Sequence, residues 1–412
     1  MSRLLFVLAC AGCVTGDEAD STDVTAQAAT LAFSREHVSG DIYHYEATVP
    51  IGGSANAAIR IHRVVRELAP YIPRRTSHAA MLLHGDFSTF ETSFGAGMAP
   101  YLAARDVDVW GMDRRWTLAP EAGDISDFAT MGVAQEVDDL RTGLALARAV
   151  RLAGGSGTAK LALVGFSHGA QLAYAYTAVE GARPAAQRHV SALVPMDFYA
   201  DYDDEADRLL ACDFSAQEYQ LVADGVIDSP NGFFIEVGRN ARTAPDALSP
   251  FDFFGPVTNR QMLLISIGQT YLFAPFAPFY HLASPLLDGD TAIGLREMPE
   301  SAAQAWFEHA TPHQSMLEAA DFDALLCGDT PPVDAPLSRI RTPVFYIGAA
   351  GGIGTLGLHS TTSVGSTDVT TLIVQRFGPE RRAEDFGHGD LLFATAAPEL
   401  VWQPLATWLL HH

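Results

Sequence analysis

Beyond residue 78 the chain alternates between short, predominantly apolar runs and longer stretches of helical period. The short runs fall at 79–83, 107–112, 161–164, 190–194, 344–347 and 371–374. A strand that is apolar on both faces must be covered on both, so these runs predict a parallel sheet sandwiched between helices. Helical patterns at 94–105, 127–153, 169–180 and 391–410 supply the covering layers. The alternation predicts an α/β core of the doubly wound type, with a mostly parallel sheet. Ahead of it, Ile42, Tyr43, Tyr45, Ala47 and Val49, then Ala58, Ile59, Ile61, Val64 and Val65, flank Gly52-Gly53. That pattern predicts two antiparallel strands and a turn.

One interval breaks the rhythm. Between Asp197 and Pro336 aromatic and proline clusters replace the strand-helix alternation. So long an interval exceeds a loop inside a compact domain, and it is expected to form a mostly helical cap over 198–335, with the core in two parts, 31–197 and 336–412.

The first thirteen residues carry one positive charge, Arg3, then the apolar stretch Leu4 to Ala9, then Cys10-Ala11-Gly12-Cys13. This is too short to span a bilayer and reads as an export signal over 1–13. Ala11-Gly12-Cys13 is similar to a bacterial lipobox, whose cysteine is lipidated. Cys10 competes for that role, but cleavage before Cys13 leaves one anchor and one even pair, Cys212 and Cys327, whereas cleavage before Cys10 strands a thiol. An oxidising compartment would permit a Cys212–Cys327 disulfide. Residues 14–30, small, polar and acidic, read as a disordered tether. The expected location is the bacterial cell envelope through the lipid anchor, or secretion.

Composition narrows the function classes. Of 412 residues, 48% are hydrophobic and only 18% charged, with 26 basic against 49 acidic side chains and a net charge of −23. An acidic surface without a basic stripe repels phosphate backbones, which argues against nucleic acid as a partner. His-Glu-x-x-His is absent and the cysteines lack zinc spacing, so no metal is implied. No phosphate loop or dinucleotide glycine pattern occurs, so no cofactor is implied either.

The chemistry gathers around Gly165-Phe166-Ser167-His168-Gly169. A bare Gly-x-Ser-x-Gly is weak, with about 0.2 chance matches expected at this length. Here it lies between an apolar strand and an Ala-rich helix, the setting in which a strained turn projects a nucleophilic hydroxyl while glycines on either side let strand and helix approach. Ser167 is therefore the candidate nucleophile. It needs a base, and His388 follows the last strand by a short loop in Asp385-Phe386-Gly387-His388-Gly389-Asp390. Asp390 is expected to cap the last helix. An oxyanion needs two backbone donors, expected from the N–H groups of His168 and of Asp86, the latter in Leu83-His84-Gly85-Asp86-Phe87. His84 is expected to brace its loop.

At this point the chain resembles the α/β-hydrolase superfamily, from about residue 40 to the end outside the cap. Asp108-Val-Trp-Gly-Met-Asp113-Arg114-Arg115 resembles the usual end of strand four, and Phe386 to Leu391 with Ala397-Pro398-Glu399-Leu400-Val401 is similar to the acid lipase group. The resemblance implies ester hydrolysis by a Ser-His-Asp triad without a metal, under a helical cap between strands six and seven. The departure is at the acid. The group carries an aspartate after a glycine pair following strand seven, but no carboxylate occurs between Gly348 and Thr367, around Gly351-Gly352. Loss of the orienting acid costs about 10⁴ in rate. Asp197, at the end of strand six, from which some α/β hydrolases supply their acid, is the chosen acid, with Asp368 and Asp201 as lesser candidates and no acid at all as the remaining alternative. Phe251, Phe253, Phe254, Tyr271, Phe273, Phe276, Phe279 and Tyr280 are expected to line an apolar acyl site or to form the core of the cap.

The expected function is thus an acyl-enzyme serine hydrolase acting on carboxylic esters, lipids among them. The rivals are a peptidase or acyltransferase with the same machinery, and a catalytically silent fold that binds a hydrophobic ligand, motivated by the missing strand-seven acid.

Overall fold

The computed structural model describes residues 33–412 except 55, 271–276, 278 and 330. The export signal, the tether and Tyr271, Phe273 and Phe276 lie outside the described residues.

The strands are β1 (Phe33–Ser39), β2 (Ile42–Pro50), β3 (Ala58–Ala69), β4 (Ile72–Pro73), β5 (Ala79–Leu83), β6 (Asp108–Asp113), β7 (Leu161–Phe166), β8 (Val190–Met196), β9 (Pro285–Asp288), β10 (Thr291–Leu295), β11 (Val344–Ala349) and β12 (Val369–Val374). The main sheet runs β1-β2-β3-β6-β5-β7-β8-β11-β12, with β4 on β3. Pairing is antiparallel from β1 to β6 and parallel from β6 to β12. The runs with no polar alternation, β5, β6, β7 and β11, are buried at every position. Each fully buried Leu, Ile or Val there contributes about 1.5–3 kcal/mol relative to exposure. β1 and β4 add to the antiparallel part expected from the sequence.

Helices cover both faces. Among them, α1 (Met98–Ala103), α2 (Val133–Ala153), α3 (His168–Gly181), then after the cap α9 (Gly354–Ser363), α10 (Asp390–Phe393) and α11 (Gln403–Leu409) belong to the core. Three expected helices are shorter or broken. The one at 94–105 splits at Gly97 into a single turn at Glu91–Gly95 and α1. The one at 127–153 becomes a short turn at Ser126–Thr130 and then α2, separated by the extended Gly132. The last, 391–410, is three pieces, because Ala394 is extended and Pro398 brings no N–H.

Between β8 and β11, the sixth and seventh strands of the sequence reading, lies the cap. It comprises α4 (Glu205–Ala223), α5 (Gly232–Thr243), α6 (Asn259–Gly268), the β9–β10 hairpin, α7 (Glu300–Glu308) and α8 (Met316–Cys327). Cys212 on α4 and Cys327 at the end of α8 form a disulfide with Cα atoms 4.7 Å apart. A shared apolar layer that includes Phe198, Tyr280, Leu282, Trp306 and Ile353 joins the cap to the core. Among the described residues no helix is long and apolar enough to cross a membrane.

Candidate active site

Ser167 sits between β7 and α3 with φ 57° and ψ −134°, a conformation that L side chains rarely hold. The flanking glycines explain how the chain reaches it. A Cβ on Gly169 would lie 2.5 Å from the carbonyl oxygens of Leu83 and His84, and one on Gly165 would penetrate the backbone of Gly169 and Ala170. Strand and helix therefore close on each other only with hydrogens there. The turn is held by Ser167 N–H donating to the Met196 carbonyl at 3.0 Å and Ala170 N–H donating to the Ser167 carbonyl at 2.7 Å.

His388 lies in the loop before α10, 2% exposed, with its ring stacked on Phe166 at 4.5 Å between centroids. Its Nδ1 is 2.7 Å from Oδ2 of Asp197, within hydrogen-bond range. Asp197 follows β8 directly, with φ 50°, and is fully buried. Pro195 has no N–H for the ladder, and β8 registers on β11 at Leu193 and Met196, on either side of it. The Asp197 carboxylate leans into the turn after β11, where Ala349 N–H donates to Oδ1 at 2.7 Å and Ile353 N–H to Oδ2 at 3.2 Å. The other acid candidates stand elsewhere. Asp201 binds Ser363, and Asp368 is exposed with His412 3.5 Å away.

The loop after β5 completes the cleft. A Cβ on Gly85 would lie 2.7 Å from that of Ser167, so only glycine lets this loop approach the hydroxyl. His84 turns away from the reacting groups: its Nδ1 lies 2.8 Å from the Gly85 carbonyl, and burial pushes its pKa down to about 4. Arg114, just past β6 and buried, donates to the carbonyls of His84 at 3.2 Å and Gly85 at 2.9 Å and pairs with Glu318 on α8. In sequence, Arg114 stands out only as part of a strand ending. Its brace on this loop depends on a partner 204 residues away.

The side chains of Asp86 and His168 also meet, as a carboxylate–imidazole pair, and Gln314 of the cap donates to the other Asp86 oxygen at 2.6 Å. Burial opposes the charge on Asp86, yet His168, Arg114 and Gln314 bring its carboxyl below the usual range. The same pairing lifts His168 above the usual imidazole range against the opposing effect of burial. The sequence pattern implies a role for both residues through the backbone only.

Gly85, Asp86, Ser167 and His388 share one cavity of about 60 Å³ with Phe87, Phe166, Phe198, Tyr280, Leu282 and Trp306. Of the cap aromatics expected to line it, Tyr280 does. Phe253 and Phe254 are instead 59% and 54% exposed, Phe251 packs on Phe233, and Phe279 lies under the Arg382 guanidinium. Phe87 comes from the Gly85 loop, Phe198 follows Asp197, and Trp306 comes from α7. Asp390 does not cap a helix; Gly389 holds that position, and the Asp390 carboxylate accepts the N–H groups of Gly387 and Ser284, both at 2.8 Å, tying the His388 loop to the cap.

A serine on a strained strand-to-helix turn, a buried imidazole–carboxylate pair and a cap between the sixth and seventh strands form a recognisable frame. The chain has the α/β-hydrolase fold. A candidate lipase from Sulfolobus solfataricus superposes with a TM-score of 0.59 at 14% identity, over 92% of this chain and 99% of that one. A hypothetical protein from Pseudomonas aeruginosa does so at 0.52 and 12%, over 92% and 96%. No family model matches the chain, and no curated protein does. Within the α/β-hydrolase fold, ligands bind outside the carboxyl ends of the strands, which is where Ser167, Asp197 and the Gly85 loop lie.

Proposed function

We propose that the protein is a serine hydrolase that cleaves carboxylic esters through an acyl-enzyme. The observation that carries this reading is the 2.7 Å contact between His388 Nδ1 and Asp197, beside a serine at φ 57° in the same cavity. With Nδ1 held by the carboxylate, Nε2 is the ring nitrogen that receives the Ser167 proton. Ser167 Oγ attacks the ester carbonyl, and the N–H groups of His168 and Asp86 receive the negative charge on its oxygen. His388 then passes the proton to the leaving alcohol, and water repeats the sequence to release the acid. The acid-lipase-like segments and the similarity to a candidate lipase support an ester, lipid esters included, as substrate.

Turnover of p-nitrophenyl acetate, of longer-chain p-nitrophenyl esters and of the matching anilides separates esterase from peptidase. Acyl transfer to added alcohol detects an acyltransferase. The reading expects ester cleavage by the wild type, lost in Ser167→Ala and in His388→Ala.

Export with a lipid on Cys13 belongs to the same proposal and is supported by the Cys212–Cys327 disulfide, since such bonds persist in oxidising compartments. Metabolic labelling with a radioactive fatty acid in a bacterial host, lost in Cys13→Ser, is the expected result.

A further inference from the structure

We propose that the Asp86 side chain is a positioning residue, which holds the two oxyanion donors at a fixed separation and couples that separation to the cap. This rests on the reading of Ser167 as a nucleophile. The donors come from chain segments with no covalent reason to stay in register: Asp86 from the loop after β5, His168 from the first turn of α3. Their backbones must present two N–H groups to one oxygen, and a displacement of about 1 Å can cost about 10²-fold in rate.

The same two residues are joined by their side chains. The Asp86 carboxylate binds the His168 imidazole through Oδ2 and accepts from Gln314 through Oδ1 at 2.6 Å. Phe322 of α8 stacks on the His168 ring at 5.2 Å, and Phe198 flanks it at 4.8 Å, which fixes the ring as a rigid arm. The loop carrying Asp86 is held from behind by Arg114, itself anchored on Glu318. Gln314 and Glu318 lie within one stretch of cap at the start of α8. The cap therefore reaches the oxyanion loop along two routes, one through Gln314 to the Asp86 carboxylate and one through Glu318 and Arg114 to the His84 and Gly85 carbonyls. A carboxylate that accepts from Gln314 through one oxygen and pairs with an imidazole through the other costs desolvation inside the cleft, and neither the nucleophile nor the base uses it. Spanning the oxyanion site is what it does.

The test measures kcat and KM for p-nitrophenyl acetate, together with the rate of labelling by a fluorophosphonate, in the full chain. Asp86→Ala and His168→Ala are each expected to lower kcat and the labelling rate about 30-fold, with KM changed less than about 3-fold, because a donor pair acts on the transition state. The double variant is expected to lose no more than either single one, since both remove the same link. Asp86→Asn, which keeps two hydrogen-bonding atoms, is expected to recover most of the rate. Gln314→Ala reports on the link without altering the cleft walls and is expected to lower kcat about 5-fold at an unchanged melting temperature, so it decides the matter if Asp86→Ala fails to fold. A reactive wild type with Asp86→Ala and Gln314→Ala at its rate overturns the positioning role alone, as do losses that multiply in the double variant. A wild type that neither turns over ester nor takes the label overturns the hydrolase reading and this role with it.

Discussion

The carboxylate of Asp197 occupies the space that a side chain on Gly352 would need. A Cβ at Gly352 would run into Asp197 Oδ2, and Ala349 and Ile353, on either side of the glycine pair, both donate their N–H groups to this carboxylate. The turn after β11 has no acid of its own, and it is shaped to receive one from the neighbouring strand. The carboxylate that meets His388 thus comes from the end of β8, the strand beside β11.

Gly352→Ala should accordingly act on the acid rather than on the fold at large. The added methyl pushes the carboxylate from His388, and esterase kcat is expected to fall about 10²-fold, with destabilisation of about 1–3 kcal/mol from the overpacking. Steady-state kinetics and urea unfolding check the two numbers.

Asp197→Asn keeps the volume and loses the charge. Because the amide favours the wrong imidazole tautomer, the proposed role predicts a drop in kcat of about 10⁴-fold, the loss known for Ser-His-Asp triads. Circular dichroism should remain that of the wild type.

The Cys212–Cys327 link closes a span of 115 residues that includes most of the cap. The chain-entropy treatment gives about 5 kcal/mol for a loop of this size, with measured losses of about 2–5 kcal/mol. Cys212→Ser/Cys327→Ser, or dithiothreitol, is expected to lower the unfolding midpoint of the cap, followed by its tryptophan Trp306.

On the packed faces of α4 and α8, burial, with repulsion from and a hydrogen bond to Asp323 added, pushes Glu218 up to about 8, and burial pushes Asp323 up to about 6 against the lowering effects of His168 and of its hydrogen bond to Glu218. The folded cap holds protons there that the unfolded chain releases near pH 4, so this contribution is complete below pH 4 and is lost as pH rises toward 8. Melting temperature is expected to fall between pH 6 and 8 in the wild type, and the slope to flatten in Glu218→Gln.

The features read directly from sequence were those fixed by local pattern. Ser167 announced itself because an apolar strand, a glycine-spaced turn and an Ala-rich helix are contiguous in the chain. Asp197 was reachable only through the family resemblance, which implies an acid after strand seven where Gly351-Gly352 has none, and whose members in part supply it from the end of strand six. Helix breaks at Gly97 and Ala394 escaped because their backbone angles answer to packing, not to residue type alone. The side-chain roles of Asp86, Arg114, Gln314 and Trp306 depend on contacts over 204 to 228 positions of chain, and no spacing rule reaches that far. Phe253 and Phe254 show the opposite failure, for aromatic residues that looked like a site wall face solvent.

Mass spectrometry of the protein after a fluorophosphonate probe tests the central claim most directly. The account predicts a single phosphonylated peptide, modified on Ser167, absent from Ser167→Ala and strongly slowed in Asp197→Asn. An unmodified Ser167 in folded wild-type protein, or label on another residue, would contradict it.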